Sequence, residues 1–211
     1  MAATLTKNCV RALCVTAALG LATAAQAAVI VYTATLSGPN ESPPNASPGT
    51  GSATVTIDTT ANTMRVQANF SGLTSGTTAS HIHAATTTPL TGTAGVATTL
   101  PTFTNFPLGV TSGTYDNTFD LLTAGSYNPA FVTANGGTPA TAEAALLAAL
   151  AQGRAYLNIH TTNFGSGEIR GFLTAVPEPG SWMMMLIGFG AIGMVIRRRK
   201  GSPAGLEPCR L

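Results

Sequence analysis

The sequence has little charge, and its middle lacks residues on which several classes of protein depend. Only 9% of its 211 residues are Asp, Glu, Lys or Arg. Residues 28–176 contain no lysine, and their three arginines and six acidic residues give a net charge of −3. Nucleic-acid binding needs basic residues clustered on one face, so this composition argues against nucleic acid as a partner. So little charge also argues against a charged, disordered chain.

Cysteine is absent from the same central region, because Cys9, Cys14 and Cys209 all lie near the chain ends. The central region can therefore form neither a disulfide nor a thiolate metal site. It also lacks a Gly-rich phosphate loop, a Gly-x-Ser-x-Gly turn and carboxylates paired at a useful spacing. These absences lower the expectation of catalysis, and we predict a protein that is not an enzyme.

The N-terminal segment has the three-part build of a secretory signal peptide. Residues 1–27 begin with the basic Lys7 and Arg11, continue with an apolar stretch, and end in Ala25, Gln26 and Ala27. Small residues at the first and third positions of that triplet are typical of a signal peptidase site. We expect cleavage after Ala27; the alternative is an uncleaved membrane helix.

The C-terminal segment, residues 177–200, has three parts in a fixed order. The first part is the triplet Pro177, Glu178, Pro179, and the second is an apolar run over 182–196. The third is a basic cluster that contains Arg197, Arg198 and Arg199. A helix over the apolar run is about 22 Å long, short of the roughly 30 Å of a bilayer core unless its flanks extend it. The basic cluster predicts a cytoplasmic end and therefore an exported domain before it. Residues 201–211 form a tail without a readable pattern.

This order of triplet, apolar helix and arginine cluster resembles the PEP-CTERM sorting signal of Gram-negative bacteria. The resemblance implies transient anchoring in the inner membrane and cleavage by an exosortase, in organisms that make extracellular polysaccharide. A permanent single-pass membrane anchor is the alternative.

The central region, residues 28–176, shows short alternating runs separated by turn residues, which is typical of an all-β domain. Strands are predicted over 29–36, 52–58, 63–70, 80–84, 154–160 and 168–174, with weaker candidates over 95–100 and 114–121. One helix is predicted, with Thr138 as N-cap, Pro139 at its first position, a body over 140–152 and Gly153 after its end.

Several segments together resemble the CHRD domain, a module first described in the secreted protein chordin. They are residues 34–38, 41–44, 80–83, 153–161 and 167–171, and the resemblance spans 32 to about 174. It implies an immunoglobulin-like or Greek-key β-sandwich in an extracellular setting. It implies no established catalytic activity and no assigned binding residues.

Three histidines are candidate metal ligands. His81 and His83 are two apart on a predicted strand, so both side chains leave the same face. His160 would complete a site for Zn or Cu if its strand lies beside theirs. This interpretation gives a metal-binding protein or a metal-dependent enzyme. The alternative is that the histidines hydrogen-bond turn backbone and close one end of the domain.

Three further polar residues lie in the segments that resemble the CHRD domain, and we expect a mainly structural role for them. Glu168 and Arg170 are predicted to pair with each other or across strands. Asn158 and Glu168 are candidates to hydrogen-bond the ligands of a three-histidine metal site and so orient them. If Arg170 points inward, its charge would repel a metal ion.

The predicted surface is dominated by threonine, which solvates a strand without adding charge. Such a surface favours contact with a matrix over electrostatic steering. We therefore expect an exported, non-enzymatic protein of the cell envelope or the extracellular space, with a structural or binding role. Exopolysaccharide, other surface proteins or the biofilm matrix are its expected partners.

Overall fold

A computed structural model describes residues 29–177, 188–190, 192 and 197 of the chain. The predicted signal peptide, the tail over 201–211 and most of the sorting segment lie outside these residues, including Ala25, Ala27, Glu178, Pro179, Arg198 and Arg199. Pro177 and Arg197 are described, and both are exposed. Within the described ranges, none of the helices has the length and apolar character needed to cross a membrane.

The described chain is mostly β-structure, as the sequence predicts. Its strands are β1 (Val29–Ser37), β2 (Thr50–Asp58), β3 (Thr63–Ser71), β4 (Thr77–Ala84), β5 (Gly113–Asp120), β6 (Ala155–Thr161), β7 (Ile169–Phe172) and β8 (Thr174–Ala175). They form one antiparallel sheet in the order β4-β6-β7-β1-β2-β3-β5, with β8 also beside β1.

This single curled sheet differs from the two separate sheets that a sandwich implies. The strands β4, β6 and β7 are joined to the remaining strands where Ser37 of β1 pairs with Arg170 of β7. Both parts contribute their inner faces to one hydrophobic core, which includes Ile57, Val66 and Leu157. The curl therefore encloses the core that a second sheet would otherwise cover.

Alternation of side chains explains why these segments form strands. Along β2, Ala53, Val55 and Ile57 are buried, whereas the residues between them are more exposed. Side chains in a strand point alternately to opposite faces, so this spacing gives one apolar and one polar face. The same alternation in β3 buries Met64 and Val66.

Residues 29–177 contain two α-helices, where the sequence predicted one for the central region. The predicted helix is α2 (Pro139–Ala151), and the side chain of Thr138 accepts a hydrogen bond from the backbone N–H of Thr141 at its start. The additional helix, α1 (Pro129–Ala134), has six residues and is too short to show a helical period. Nor do residues 95–100 form a strand: Val96 and Thr98 make only isolated bridges.

The outer side of the sheet, facing away from the core, has two unlike halves. On β4, β6 and β7 it carries buried or partly buried side chains, and six polar or aromatic ones among them form what we call the covered face: His81, His83, Tyr156, Asn158, His160 and Arg170. On β1, β2, β3 and β5 it carries mostly exposed polar side chains, which we call the open face: Thr33, Thr35, Ser52, Thr54, Arg65, Gln67, Asn69, Thr114, Asp116 and Thr118.

Candidate metal centre

The three histidines come together on the covered face. Strand β6 pairs with β4 so that His160 lies opposite Ala79, two positions along the ladder from the His81–Asn158 pair. The ring centroid of His81 is 5.3 Å from that of His160 and 5.9 Å from that of His83. One ring nitrogen from each histidine lies within 4.8 Å of the other two.

A backbone carbonyl holds each ring by one of its two nitrogens. Nε2 of His81 donates to the carbonyl of Pro101 at 2.6 Å, and Nδ1 of His83 donates to that of Ala94 at 2.9 Å. Nδ1 of His160 donates to the carbonyl of Gly165 at 3.0 Å. Because a carbonyl only accepts, these bonds place the proton of each neutral ring on the bonded nitrogen.

The remaining nitrogens have no partner. Nδ1 of His81, Nε2 of His83 and Nε2 of His160 are buried and make no hydrogen bond in the described part of the chain. A buried polar atom without a partner is costly, and such atoms call for an explanation. The hydrogen-bonding alternative accounts for only one nitrogen of each ring, whereas a shared metal ion accounts for the other.

All three rings are favoured in the neutral form that binds metal. Burial lowers the pKa of His81 and of His160, and it lowers that of His83 to about 4. Neutral imidazole has a lone pair to offer, and a second hydrogen bond from the other ring nitrogen is the usual support of a metal-bound histidine. Nitrogens bound to one Zn ion at about 2.0 Å lie about 3.3 Å apart, so a modest closing of the three rings completes a site.

Arg170 belongs to the covered face but does not point at the three free nitrogens. Its Cζ lies 4.7 Å from the centroid of the Tyr156 ring, and that ring stacks on His83 with centroids 4.8 Å apart and an angle of 5°. The tyrosine ring thus separates the guanidinium from the histidine cluster. The charge of Arg170 still contributes to the lowered pKa of His83, so the repulsion that the sequence suggested is present but acts across the tyrosine ring.

The ion pair of Arg170 is formed with Glu41, not with Glu168. Its Nε lies 3.8 Å from Oε2 of Glu41, and both side chains are buried. The guanidinium also donates to the carbonyl of Asn40 at 2.5 Å and to that of Gly92 at 3.1 Å. Glu41 comes from the loop after β1, a Pro-rich segment without periodicity, so no sequence pattern pointed to this pair.

Glu168 has a different set of partners and makes none of its hydrogen bonds to a histidine within the described residues. Its carboxylate accepts from Ser47 Oγ at 2.6 Å, Thr161 Oγ1 at 2.5 Å and the Thr74 backbone N–H at 2.7 Å. Burial alone would raise the pKa of Glu168, but these hydrogen bonds outweigh it and hold the pKa below its ordinary value. Glu168 is therefore a structural anchor between two loops and β6, and not a support of the histidines.

A tight polar contact lies beside the histidines, where Glu41 and Asn158 meet Gly167. A Cβ at Gly167 would lie 2.4 Å from Asn158 Nδ2 and 2.8 Å from Glu41 Oε1. Oε1 of Glu41 and Oδ1 of Asn158 have no hydrogen-bond partner in the described chain. Burial raises the pKa of Glu41 to about 7, although Arg170 and the backbone N–H of Ser42 lower it. A protonated Glu41 therefore exists near neutral pH.

Fold and site together define a small antiparallel β domain whose outer side holds a buried cluster of three histidines. Residues 32–173 match the family model of the CHRD domain, and the chain belongs to the CHRD domain family. Residues 175–200 match the PEP-CTERM protein-sorting motif. The two resemblances seen in the sequence are thus confirmed. No curated protein and no solved structure matches the chain.

The sorting motif implies an exported protein of the cell envelope that is processed by an exosortase. Together with the CHRD domain, it makes this chain an exosortase-targeted surface or secreted protein.

Proposed function

We propose that this surface or secreted protein binds one transition-metal ion, zinc or copper, through His81, His83 and His160, and acts as a binding protein rather than an enzyme. The observation that carries the proposal is a cluster in which one ring nitrogen of each histidine lies within 4.8 Å of the other two, while each ring also has a buried nitrogen without a hydrogen-bond partner among the described residues. The bonds from the opposite nitrogens to loop carbonyls pre-orient them, which reduces the cost of ordering the ligands when metal binds.

Metal content tests this proposal directly. The full chain is purified without chelator, and its zinc and copper are measured by elemental analysis together with the double variant His81→Ala, His83→Ala. We expect about one ion per chain in the parent and almost none in the variant. Thr118→Ala, an exposed change on the open face, is the matched control and retains the metal. A folded parent that stays free of metal in the presence of both ions contradicts the proposal.

The proposed route to the surface uses both ends of the chain. Signal peptidase cleaves after Ala27, the segment 177–200 holds the precursor in the inner membrane as a helix, and exosortase then removes it. The match over 175–200 and the exposure of Pro177 at the end of the domain support this order. Mass spectrometry of the mature protein tests it, because a C-terminus intact through Leu211 indicates a permanent membrane anchor.

A second proposed role is contact with the extracellular matrix through the open face, with neutral polysaccharide as the partner. Cross-strand rows of hydroxyl and amide side chains, such as Thr35, Ser52, Asn69 and Thr114, line up along the register of β1, β2, β3 and β5. A cavity of about 460 Å³ lies over β2, β3 and β5. Its charged member Asp116 is neutralised by Arg65 at 2.5 Å, so the surface offers hydrogen bonds without net charge.

Retention on the producing organism's exopolysaccharide tests the second role. Asn69→Ala combined with Thr114→Ala removes two cross-strand neighbours that line the cavity. We expect weaker retention of this variant and unchanged retention of His83→Ala, which alters only the covered face. Equal retention of both variants and the parent contradicts a role for the open face.

A further inference from the structure

We propose that the centre formed by His81, His83 and His160 is selective for monovalent copper, Cu(I), over the divalent ions Zn(II) and Cu(II). This selectivity rests on the metal centre proposed above and specifies the ion that it takes. Three observations point to it: the ligand set, the charges around the ligands, and the burial of the ligand atoms.

The ligand set consists of three neutral groups. Among the described residues, the only cluster of potential metal ligands contains these three histidines and no carboxylate or thiolate. Imidazole binds both zinc and copper. Structural zinc sites are almost always closed by four ligands, and catalytic ones add water to three. A filled-shell monovalent ion such as Cu(I) forms stable three-coordinate complexes, so three histidines satisfy it without an added ligand.

The charges near the centre disfavour a divalent ion. Within the described chain, none of the hydrogen bonds of the three rings involves a carboxylate, whereas the guanidinium of Arg170 lies over the Tyr156 ring that stacks on His83. The carboxylate of Glu41 is paired with Arg170 and is not part of the ligand cluster, so it supplies no negative charge to the metal. The cost of burying an ion rises with the square of its charge, which makes a divalent ion about four times as costly as a monovalent one.

The burial of the free nitrogens limits the access of a fourth, anionic ligand that would lower the cost of burying a divalent ion. A divalent ion on three neutral ligands commonly recruits hydroxide or chloride from solvent as its fourth ligand. Here Nδ1 of His81 and Nε2 of His83 and His160 are each buried from solvent. The loops that supply the carbonyls of Ala94, Pro101 and Gly165 hold the rings from the outside. Three-coordinate Cu(I) needs no such access.

A pair of competition titrations tests the selectivity. The full chain is used in a background of Cys9→Ser, Cys14→Ser and Cys209→Ser, because thiolates also bind Cu(I). Under anaerobic conditions the protein competes with a chromophoric chelator for Cu(I), and in a second titration with a zinc indicator for Zn(II). We expect one Cu(I) per chain and a Kd for Cu(I) at least about 100-fold lower than for Zn(II).

Two matched variants separate this centre from adventitious sites. In the same background, His160→Ala loses Cu(I) binding and Thr118→Ala retains it. His160 is only partly buried, so its removal disturbs packing less than the loss of His81 or His83, and circular dichroism checks that the variant is folded. X-ray absorption of the Cu(I) form should show three nitrogen neighbours at about 2.0 Å.

The outcomes distinguish the two proposals. Zinc binding as tight as Cu(I) binding, or a fourth ligand on the Cu(I) ion, overturns the selectivity and leaves the metal centre intact. A folded parent that binds neither ion overturns both.

Discussion

The covered and open faces lie on the same side of one hydrogen-bonded sheet, yet their side chains meet different surroundings. On the open face, the guanidinium of Arg65 and the carboxylate of Asp116 pair in water, each about half exposed. On the covered face, Arg170 and Glu41 pair with only about 5% of either side chain exposed. The same kind of ion pair is therefore weak and adaptable in one place, and costly to form but specific in the other.

Loops produce this difference. The segment after β1 brings Glu41, the segment after β4 brings the carbonyls of Ala94 and Pro101, and the turn before β7 brings that of Gly165. The open face has strands of similar kind, but no loop within the described residues covers it in this way. Chemistry that needs dehydrated, fixed groups is thus confined to the half of the sheet that loops enclose, and the following changes test that division.

The largest effect is expected from Glu168→Ala, which removes the acceptor that ties the loops to β6. Ser47 Oγ, Thr161 Oγ1 and the Thr74 N–H then lose their partner in a buried place. We expect the free energy of unfolding to fall by about 3–5 kcal/mol, measured by urea denaturation. Asp116→Ala removes an exposed carboxylate from the open face and should leave the midpoint nearly unchanged. Equal losses in the two variants would remove the distinction between the faces.

A smaller loss is expected from Gly167→Ala in the turn before β7. The added Cβ meets Asn158 and Glu41 at under 3 Å, and φ at this residue is +130°, a value that other residues rarely adopt. Overpacking and strain together should cost about 2–3 kcal/mol in thermal or urea unfolding. Gly165→Ala is the control in the same turn, since a Cβ there meets nothing within 4 Å. A Gly165→Ala variant as unstable as Gly167→Ala contradicts the tight contact.

A pH-dependent effect of intermediate size is expected from Glu41→Gln in metal-free protein. Because burial raises the pKa of Glu41 from 4.5 to about 7, the folded state keeps a proton that the unfolded chain releases in this window. The contribution of Glu41 to stability is therefore present below about pH 4.5 and is lost as the pH rises through about 7. Glutamine does not titrate, so the stability of the variant relative to the parent should rise across this window. After a discount for solvent screening, the rise should be roughly 2 kcal/mol.

The histidines change the stability with pH in the direction opposite to Glu41, and a histidine variant therefore provides a contrast for that measurement. Burial lowers their pKa, that of His83 to about 4, so the unfolded chain binds protons that the folded state does not. Their contribution is present above the ordinary histidine pKa of about 6.5 and is lost as the pH falls. Denaturation of His83→Ala over the same range should show a flatter acid limb than the parent. An unchanged limb indicates that the rings titrate freely.

The smallest effect is expected on the open face. Thr118 is exposed on β5, opposite Arg65 in the register, and its replacement by alanine removes no buried contact. The free energy of unfolding should change by no more than about 0.5 kcal/mol, and metal content should not change. A loss comparable to that of Gly167→Ala would show that the open face is packed rather than solvated.

Local patterns in the sequence predicted the regular elements well. The two-residue alternation of Ala53, Val55 and Ile57 marked β2, and the cap at Thr138 marked the start of α2. The same period of two placed His81 and His83 on one face. These features depend on neighbours in the chain, which is why the sequence alone reveals them.

The rest of the site depends on contacts between distant segments. His160 joins His81 only through the pairing of β4 with β6, and Glu41 reaches Arg170 from 129 positions away in the sequence. The carbonyls of Ala94 and Pro101 come from a Thr-, Gly- and Pro-rich stretch whose backbone groups carry no sequence signal. The sequence allows the three histidines to converge if their strands are neighbours. No local pattern predicts the covering loops or the pair of Glu41 with Arg170.

The pairing of β8 with β1 sets how the domain bears mechanical load. Thr174 and Ala175 pair with Thr33 and Tyr32, and the Val176 N–H bonds to the Val31 carbonyl, so the segment leading to the sorting motif departs beside the start of the domain. A force applied to the chain beyond Val176 would meet this two-residue strand first. Its few bonds would give way while β1 keeps its nine paired positions with β2. The length of the two pairings therefore sets the order in which the two sides of β1 would separate under load.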